Sequence, residues 1–403
     1  MSYFSYSALD IKGAFVRGRF HDRSMRRASE QLQRKGLSVI NIHRDKRRLL
    51  GSLNPNISRI TRRDKIVFTR SLHTLLEAGI ALDQALHIII EQTVNETFKK
   101  VVDNLYASVQ KGETLHKALG NNRKYFSPFF ISLIRVGEET GNLDGSLLHL
   151  LEQQENDDEL ITKVRGSLIY PAVIITAALI IATLMMIFVI PQITSILTEY
   201  DIELPLTTRI LIYVSDFMAT YGLLVLPTAF IAGFVGFRAM VSTPVGKRRW
   251  DSLKLRLPLV KKIVIDFNLA KFSRAMHALL MSGMSMDDAL QLAAGVTGNV
   301  RYQEAILHGA KFIRKGIALT DVLVGYPVLF PALTCRMIEV GEKTGKLDHM
   351  LDRLARHYEK SVTNTLQNLS TIIEPILLLI IGVFVGLLGI AILTPIWNFA
   401  DSI

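Results

Sequence analysis

Two acidic residues, Glu138 and Glu342, are the side chains of this sequence whose type and spacing could do chemistry. They lie in two similar segments, 136–144 with the sequence Val-Gly-Glu-Glu-Thr-Gly-Asn-Leu-Asp and 340–348 with Val-Gly-Glu-Lys-Thr-Gly-Lys-Leu-Asp. A carboxylate near the C-terminus of a predicted helix faces the negative end of the helix dipole. We therefore expect each glutamate to hold a neighbouring helix through a basic partner, or to form a docking surface for another protein.

The other residues of the two segments have a structural explanation. Gly141 and Gly345 suit the left-handed conformation that ends a helix. Asp144 and Asp348 suit the cap of the helix that follows. The candidate site, interpreted as a bundle turn or a partner-docking surface, comprises Gly137, Glu138, Thr140, Gly141, Asp144, Gly341, Glu342, Thr344, Gly345 and Asp348.

Signatures of catalysis are missing. The sequence has no Gly-rich phosphate loop ending in Lys-Ser or Lys-Thr, no His-Glu-x-x-His and no Gly-x-Ser-x-Gly. The 10 histidines are scattered, and His73 and His277 fall on apolar helix faces. A single cysteine, Cys335, argues against a disulfide framework and a cysteine-built metal site. We therefore expect no catalytic residue, no cofactor, no metal site and no enzymatic activity.

The two segments are 204 positions apart, and the same offset relates the chain on either side of them. It pairs Phe68, Arg70, His73, Leu75, Leu76 and Gly79 with Phe272, Arg274, His277, Leu279, Leu280 and Gly283, and Pro171 with Pro375. One unit is therefore present twice, as a polar helical module that runs into an apolar segment.

Three apolar runs, 168–190, 210–237 and 372–393, contain no Lys or Arg and explain the apolar fraction of 49%. As a helix, each run is at least about 33 Å long, which is enough to cross a membrane. Of the 47 Lys and Arg residues, only Arg209 lies outside 1–167 and 238–371. Because positive residues concentrate on the cytoplasmic side, both regions are predicted to be cytoplasmic, with 191–209 and 394–403 on the other side.

The predicted fold is mainly α: a polytopic membrane protein with two homologous six-helix cytoplasmic bundles, at 61–167 and 268–371, and three transmembrane helices. Residues 1–45 predict a small ββαβ module, with strands near 3–8, 14–20 and 37–42 and a helix at 24–35. A basic linker at 46–60 follows. The start of the chain lacks a basic and apolar leader, so no cleaved signal peptide is expected.

The segment 238–267 is predicted to be a basic juxtamembrane connector. This connector is either solvated or in contact with lipid head groups. The presence of Trp250 among its cations favours contact with the head groups. The net charge of +11 could indicate nucleic acid, but the topology explains it better, so anionic lipids are the expected partner.

Within the apolar runs, small residues four positions apart predict close helix packing: Ala178 and Ala182, Ala229 and Gly233, Gly382 and Gly386. Pro227 predicts a kink in the second run. Glu374, at the edge of the third run, is a candidate functional acid, a residue that reaches the interface, or a partner of Lys360.

The order and spacing of many motifs resemble the inner-membrane platform family of type IV pilus assembly and type II secretion systems. The motifs are the paired Phe-x-Arg-x-x-x-x-Leu-Leu-x-x-Gly and Gly-Glu-x-Thr-Gly-x-Leu-Asp segments, Tyr170-Pro-Ala-Val173, Val189-Ile-Pro191, Asp201-Ile-Glu-Leu-Pro205, Leu393-Thr-Pro-Ile-Trp397 and Tyr6-x-Ala-x-Asp-x-x-Gly13. The likeness covers nearly the whole chain.

The resemblance implies a platform protein of the bacterial inner membrane, with a cytoplasmic N-terminus and a periplasmic C-terminus. Its partners would be a hexameric assembly ATPase, pilins or pseudopilins, membrane-anchored alignment proteins and a second copy of itself. The favoured function is pilus assembly, and the alternative is type II secretion. A transporter would need a polar path through the membrane, and a membrane enzyme would need a catalytic site. Solute-uptake and hydrolysis assays would test these two alternatives.

Overall fold

The computed structural model describes residues 2–9, 15–22, 38–44, 59–192 and 206–400. The chain forms two compact units. One contains the described residues up to Thr61 together with Gln92–Val102, and the other contains Arg62–Glu91 and the described residues from Asp103 onward.

The first unit contains a three-stranded antiparallel sheet in the order β2-β1-β3. The strands are β1 (Ser2–Leu9), β2 (Phe15–Asp22) and β3 (Ser38–Arg44). All three overlap the strands expected from the sequence. The expected helix at 24–35 and most of the linker at 46–60 lie outside the described residues, so the complete ββαβ module stays a prediction.

The helices of the two copies follow the same order. Those of the first copy are α1 (Arg62–Glu77), α2 (Leu82–Gln92), α3 (Glu96–Gln110), α4 (Leu115–Asn121), α5 (Pro128–Thr140) and α6 (Leu143–Leu184). Between the copies lie α7 (Leu206–Ser242) and α8 (Pro244–Lys254). The second copy has α9 (Pro258–Met281), α10 (Met286–Val296), α11 (Val300–Ile313), α12 (Leu319–Leu323), α13 (Ala332–Thr344) and α14 (Leu347–Ala400).

Equivalent positions form the cores of the two copies. In the first copy, α1 and α5 pack on α6, and in the second copy α9 and α13 pack on α14. Apolar residues at the same offset are buried in both, including Phe68 and Phe272, Leu115 and Leu319, Ile134 and Ile338, and Leu147 and Leu351. The same amphipathic pattern therefore removes the same positions from water twice.

Helices α6 and α14 run from the cores into membrane-length apolar segments without interruption. Helix α6 continues through a π-helical turn (Met185–Val189) to Gln192, giving 50 residues, and α14 has 54. Their lengths are about 75 and 81 Å. These are the two helices in the described parts of the chain that are long and apolar enough to cross a membrane individually.

Helix α7 is sharply bent. Its segments Thr208–Gly222 and Pro227–Ser242 meet at 78°, and together they count as a third membrane-length element. Proline lacks the N–H that would continue the helical ladder, and its ring clashes with the preceding turn. The predicted kink at Pro227 is therefore confirmed.

The π-helical turn of α6 packs against the first segment of α7. Ser215 Oγ, on a buried side chain, donates a hydrogen bond to Met186 O at 2.6 Å. A π turn disturbs the regular ladder and is common at functional positions. The equivalent part of α14 is α-helical. Next to Ser215 lies Asp216, an exposed acidic residue within the second apolar run.

The predicted close packing at Ala229, Gly233, Gly382 and Gly386 stays a prediction. For three of the four, the glycines, the described residues give no neighbour. A Cβ added at Gly233, Gly382 or Gly386 would meet nothing within 4 Å. The alternative of a Glu374–Lys360 ion pair is wrong, because both residues lie on α14 and are about 21 Å apart along its axis.

The predicted connector at 238–267 is largely helical and is attached to the second copy. It comprises the end of α7, all of α8 and the start of α9. The buried carboxylate of Asp251 accepts a hydrogen bond from Val300 N, at the start of α11, at 3.1 Å. Trp250 packs edge-on against Phe237 of α7, with the ring centroids 5.0 Å apart. Helix α8 therefore joins the second membrane element to the second bundle.

Candidate functional site

Glu138 lies in the last turn of α5, and its carboxylate reaches the N-terminus of α4. Oε1 accepts a hydrogen bond from Leu115 N at 2.5 Å, and Oε2 accepts one from His116 N at 2.9 Å. The first N–H groups of a helix have no partner within it and form its positive end. The Glu138 side chain is 16% exposed, so water screens these charge-assisted bonds only weakly. The carboxylate opposes the dipole of its own helix but favours that of the neighbouring helix.

Glu342 repeats this arrangement at the N-terminus of α12. Its carboxylate accepts from Leu319 N at 2.6 Å and from Thr320 N at 3.1 Å. The third contact differs, because Thr320 Oγ1 donates to Glu342 Oε2 at 2.6 Å, whereas His116 Nδ1 lies 2.6 Å from Glu138 Oε2. Among the described residues, a basic partner contacts Glu138 but not Glu342, and the partner common to both glutamates is a helix N-terminus.

Gly137 and Gly341 allow close contact between the helices on either side of each turn. A Cβ added at Gly137 would lie 2.7 Å from Ser146 Cβ, and one added at Gly341 would lie 2.7 Å from Leu347 Cα. Both distances are too short for non-bonded carbon atoms. Any side chain at these positions would push the two helices apart.

Gly141 and Gly345 end their helices in the left-handed conformation, with φ values of 69° and 68°. The predicted capping role of Asp144 is wrong, because α6 begins at Leu143 and its cap is Asn142, whose Oδ1 accepts from Gly145 N at 3.2 Å. Asp348 likewise lies inside the first turn of α14. Both aspartates still stabilise their helices, because their carboxylates lie near the positive, N-terminal end of the helix dipole.

Thr140 and Thr344 bond within their own helices. Their hydroxyls donate to Val136 O at 2.8 Å and to Val340 O at 2.7 Å. The ten predicted residues therefore form two equivalent turns, one in each copy.

Two arginine–carboxylate pairs at the same offset were not assigned a role from the sequence. Arg70 Nε donates to Glu155 Oε1 at 3.2 Å, which attaches α1 to α6. Arg274 Nε donates to Glu359 Oε1 at 3.0 Å, and its Nη1 donates to Asp352 Oδ1 at 3.0 Å, which attaches α9 to α14. The Arg70 side chain is 57% exposed and that of Arg274 only 11%. The sequence carried a signal for these pairs, because the arginine and the glutamate both recur at the offset.

The two copies contact each other through unequal faces. The first copy contributes α5 and α6, and the second contributes α9, α10 and α14. Lys271 Nζ lies 3.0 Å from Asp157 Oδ2, and the rings of His149 and His277 meet edge-on at 6.2 Å. The position in the first copy that is equivalent to Lys271 is Val67, which is 49% exposed. The position on α9 that contacts the first copy therefore has an equivalent on α1 that is exposed.

A cavity of about 420 Å³ opens at this contact, beside Asp157 and Lys271. Burial raises the pKa of the Asp157 carboxyl, and the Lys271 ammonium opposes that shift. Burial lowers the pKa of His149, Glu152 opposes the shift, and His277 adds to it. In the described parts of the chain, no group of three His, Cys, Asp or Glu side chains is arranged to hold a metal ion.

Comparison with known proteins gives the same duplication. The family described as type II secretion system (T2SS), protein F, matches residues 68–191 and again 272–395. The type IV pilus assembly protein PilC of Thermus thermophilus is 33% identical over 407 residues, covering 100% of this chain and 99% of the relative. PilC of Pseudomonas aeruginosa is 29% identical over 375 residues, covering 92% and 98%. The type II secretion system protein F of the same species is 29% identical over 399 residues, covering 98% of both chains. With two family matches at the offset of the repeat and relatives aligned over their full length, this chain belongs to the type II secretion system protein F family.

Proposed function

We propose that this protein is the inner-membrane platform of a type IV pilus assembly machine. In this role it couples a cytoplasmic assembly ATPase to the extraction and polymerisation of pilin subunits, and it performs no reaction of its own. The full-length similarity to PilC proteins supports the pilus role. The equivalent platform of a type II secretion system is the second candidate, supported by relatives of that name.

The observation that carries this proposal is the continuity of α6 and α14. Each is both the last helix of a bundle core and a membrane-length helix. A displacement of either bundle therefore reaches the apolar segment through one continuous helix, in which Pro171 and Pro375 mark the entry to the apolar segment and each remove one hydrogen bond of the ladder. This is the mechanical property that a membrane platform driven from one side requires.

In the proposed topology, both bundles and the N-terminal ββαβ module are cytoplasmic, and the C-terminus is periplasmic. The bent α7 forms the second of three membrane spans. The bundles contact the ATPase and the membrane-anchored alignment proteins, the spans contact pilins, and the protein acts with a second copy. Glu138 and Glu342 serve as bundle-turn residues, because their carboxylates are already bonded to helix N-termini.

Breaking the continuity of α6 tests the proposal. Three glycines inserted after Gly166 separate the bundle from the apolar segment, whereas the same insertion after Arg123 lies between α4 and α5. We expect the first insertion to abolish surface pili while the protein stays in the membrane, and the control to retain pili. Normal pilus numbers with the first insertion would refute the coupling. Unchanged pili and lost protein secretion in a deletion strain would favour the secretion system.

A further inference from the structure

A second cavity, of about 460 Å³, lies where the apolar segments meet the second bundle. Its walls come from α6, α8, α9 and α14. Leu168 and Leu369 line it at the points where α6 and α14 enter their apolar runs. Val164, Ile263 and Phe267 add to the apolar surface. The cavity is therefore at the boundary between the bundles and the apolar segments.

Most polar groups in this cavity are already bonded to one another. Asp251 Oδ1 accepts from Lys254 Nζ at 2.9 Å. Asn268 Oδ1 accepts from Gly298 N at 3.0 Å, and its Nδ2 donates to a backbone carbonyl. The exposed Arg165 also lines the cavity, and no ion pair of Arg165 is formed within the described part of the chain. The cavity thus combines an apolar wall with a guanidinium that lacks a counter-ion.

We propose that this cavity binds one anionic phospholipid, with an acyl chain against the apolar wall and the phosphate beside Arg165. A guanidinium binds phosphate oxygens in a planar, two-bond geometry. Basic residues at the cytoplasmic surface of a membrane attract anionic lipids. The inference rests on the membrane topology proposed above, but not on the role in pilus assembly.

A phospholipid fits these features better than a partner helix does. An apolar partner helix would cover the apolar wall but would leave the Arg165 guanidinium without a counter-ion. A free phosphate would leave the apolar wall exposed to water. A phospholipid would cover the apolar wall with an acyl chain and place its phosphate beside the cation.

The test uses the full-length chain in nanodiscs of phosphatidylglycerol and phosphatidylethanolamine, transferred to neutral detergent for native mass spectrometry. We expect retained phosphatidylglycerol in preference to phosphatidylethanolamine. Arg165→Gln should reduce the retained phosphatidylglycerol about tenfold, the equivalent of one charge-assisted contact. Ile263→Trp fills the cavity and should remove the lipid. Arg249→Gln, a change of the same type on α8 outside the cavity, should leave retention unchanged.

Equal retention of the two lipids, or retention unaffected by Arg165→Gln, would overturn the proposal. A photo-crosslinking side chain at Val264 provides a second measurement that does not depend on how the variants fold. A phospholipid adduct on the Val264 peptide supports the proposal. An adduct with a protein chain, either a pilin or a second copy, contradicts it. Neither measurement requires pili, so the pilus role and the lipid site can fail separately.

Discussion

Replacement of Glu138 by Gln isolates the role of its charge at the start of α4. Glutamine keeps the size of the side chain but removes the charge and one acceptor oxygen. A hydrogen bond to a charged group contributes about 1.5–3 kcal/mol, and the helix dipole up to about 1 kcal/mol. Since one weaker neutral bond remains, we expect a local loss of about 2 kcal/mol. A factor of ten corresponds to 1.4 kcal/mol, so the turn should open about 30-fold more often. Glu342→Gln should act in the same way on α12.

Amide hydrogen exchange of the full-length protein measures this opening. In Glu138→Gln, exchange at Leu115 and His116 should accelerate about 30-fold. Glu139→Gln is the matched control, because Glu139 is the exposed neighbour in the same helical turn. If both amides exchange at the wild-type rate in Glu138→Gln, or accelerate equally in the control, the carboxylate does not hold α4.

Three further predictions use the thermal unfolding midpoint of the full-length chain in detergent. Arg274→Met should cost about 3 kcal/mol, because it leaves the half-buried Glu359 without its ion pair and Asp352 with Arg356 alone. Arg70→Met at the exposed equivalent should cost below about 1 kcal/mol, and equal shifts would contradict this. Burial lowers the pKa of His149, so the folded state favours the neutral imidazole. The contribution of His149 to the stability of the fold is complete above the unfolded pKa of 6.5 and is lost as the pH falls through the lowered pKa. His149→Gln should therefore reduce the decrease in the unfolding midpoint at acidic pH. The same change at the exposed His87 should leave that decrease unaltered. A wild-type midpoint that does not depend on pH would be inconsistent with the lowered pKa. Ser215→Ala removes a buried donor and should cost about 1 kcal/mol, while an unchanged midpoint would show that the bond to the π turn contributes nothing.

The internal repeat made much of the helical fold predictable. The offset of 204 placed equivalent helices in both copies, and it identified Gly141 and Gly345 as left-handed helix ends. The bend at Pro227 followed from the chemistry of proline. These features depend on local sequence or on the repeat itself, so they can be predicted from a single sequence.

Contacts between distant segments were not predictable in the same way. The partner of Glu138 is a pair of backbone N–H groups 22 and 23 residues away, and a backbone group has no sequence signature. The identity of the cap of α6 depends on the exact residue at which the helix begins. Asn142 and Asp144 are only two positions apart, and the sequence alone does not locate the start of the helix between them. The repeat also suggests equal copies, whereas the copies meet through different faces, as the Lys271–Asp157 contact shows.

The unbroken length of α6 gives the molecule the proportions of a lever. It is 50 residues long, so a rotation of about 5° at one end moves the other end by about 6.5 Å, slightly more than one helical pitch. A small rotation of the first bundle would thus be amplified by geometry alone. The Ser215–Met186 bond sits near the far end of this arm, where the excursion is largest.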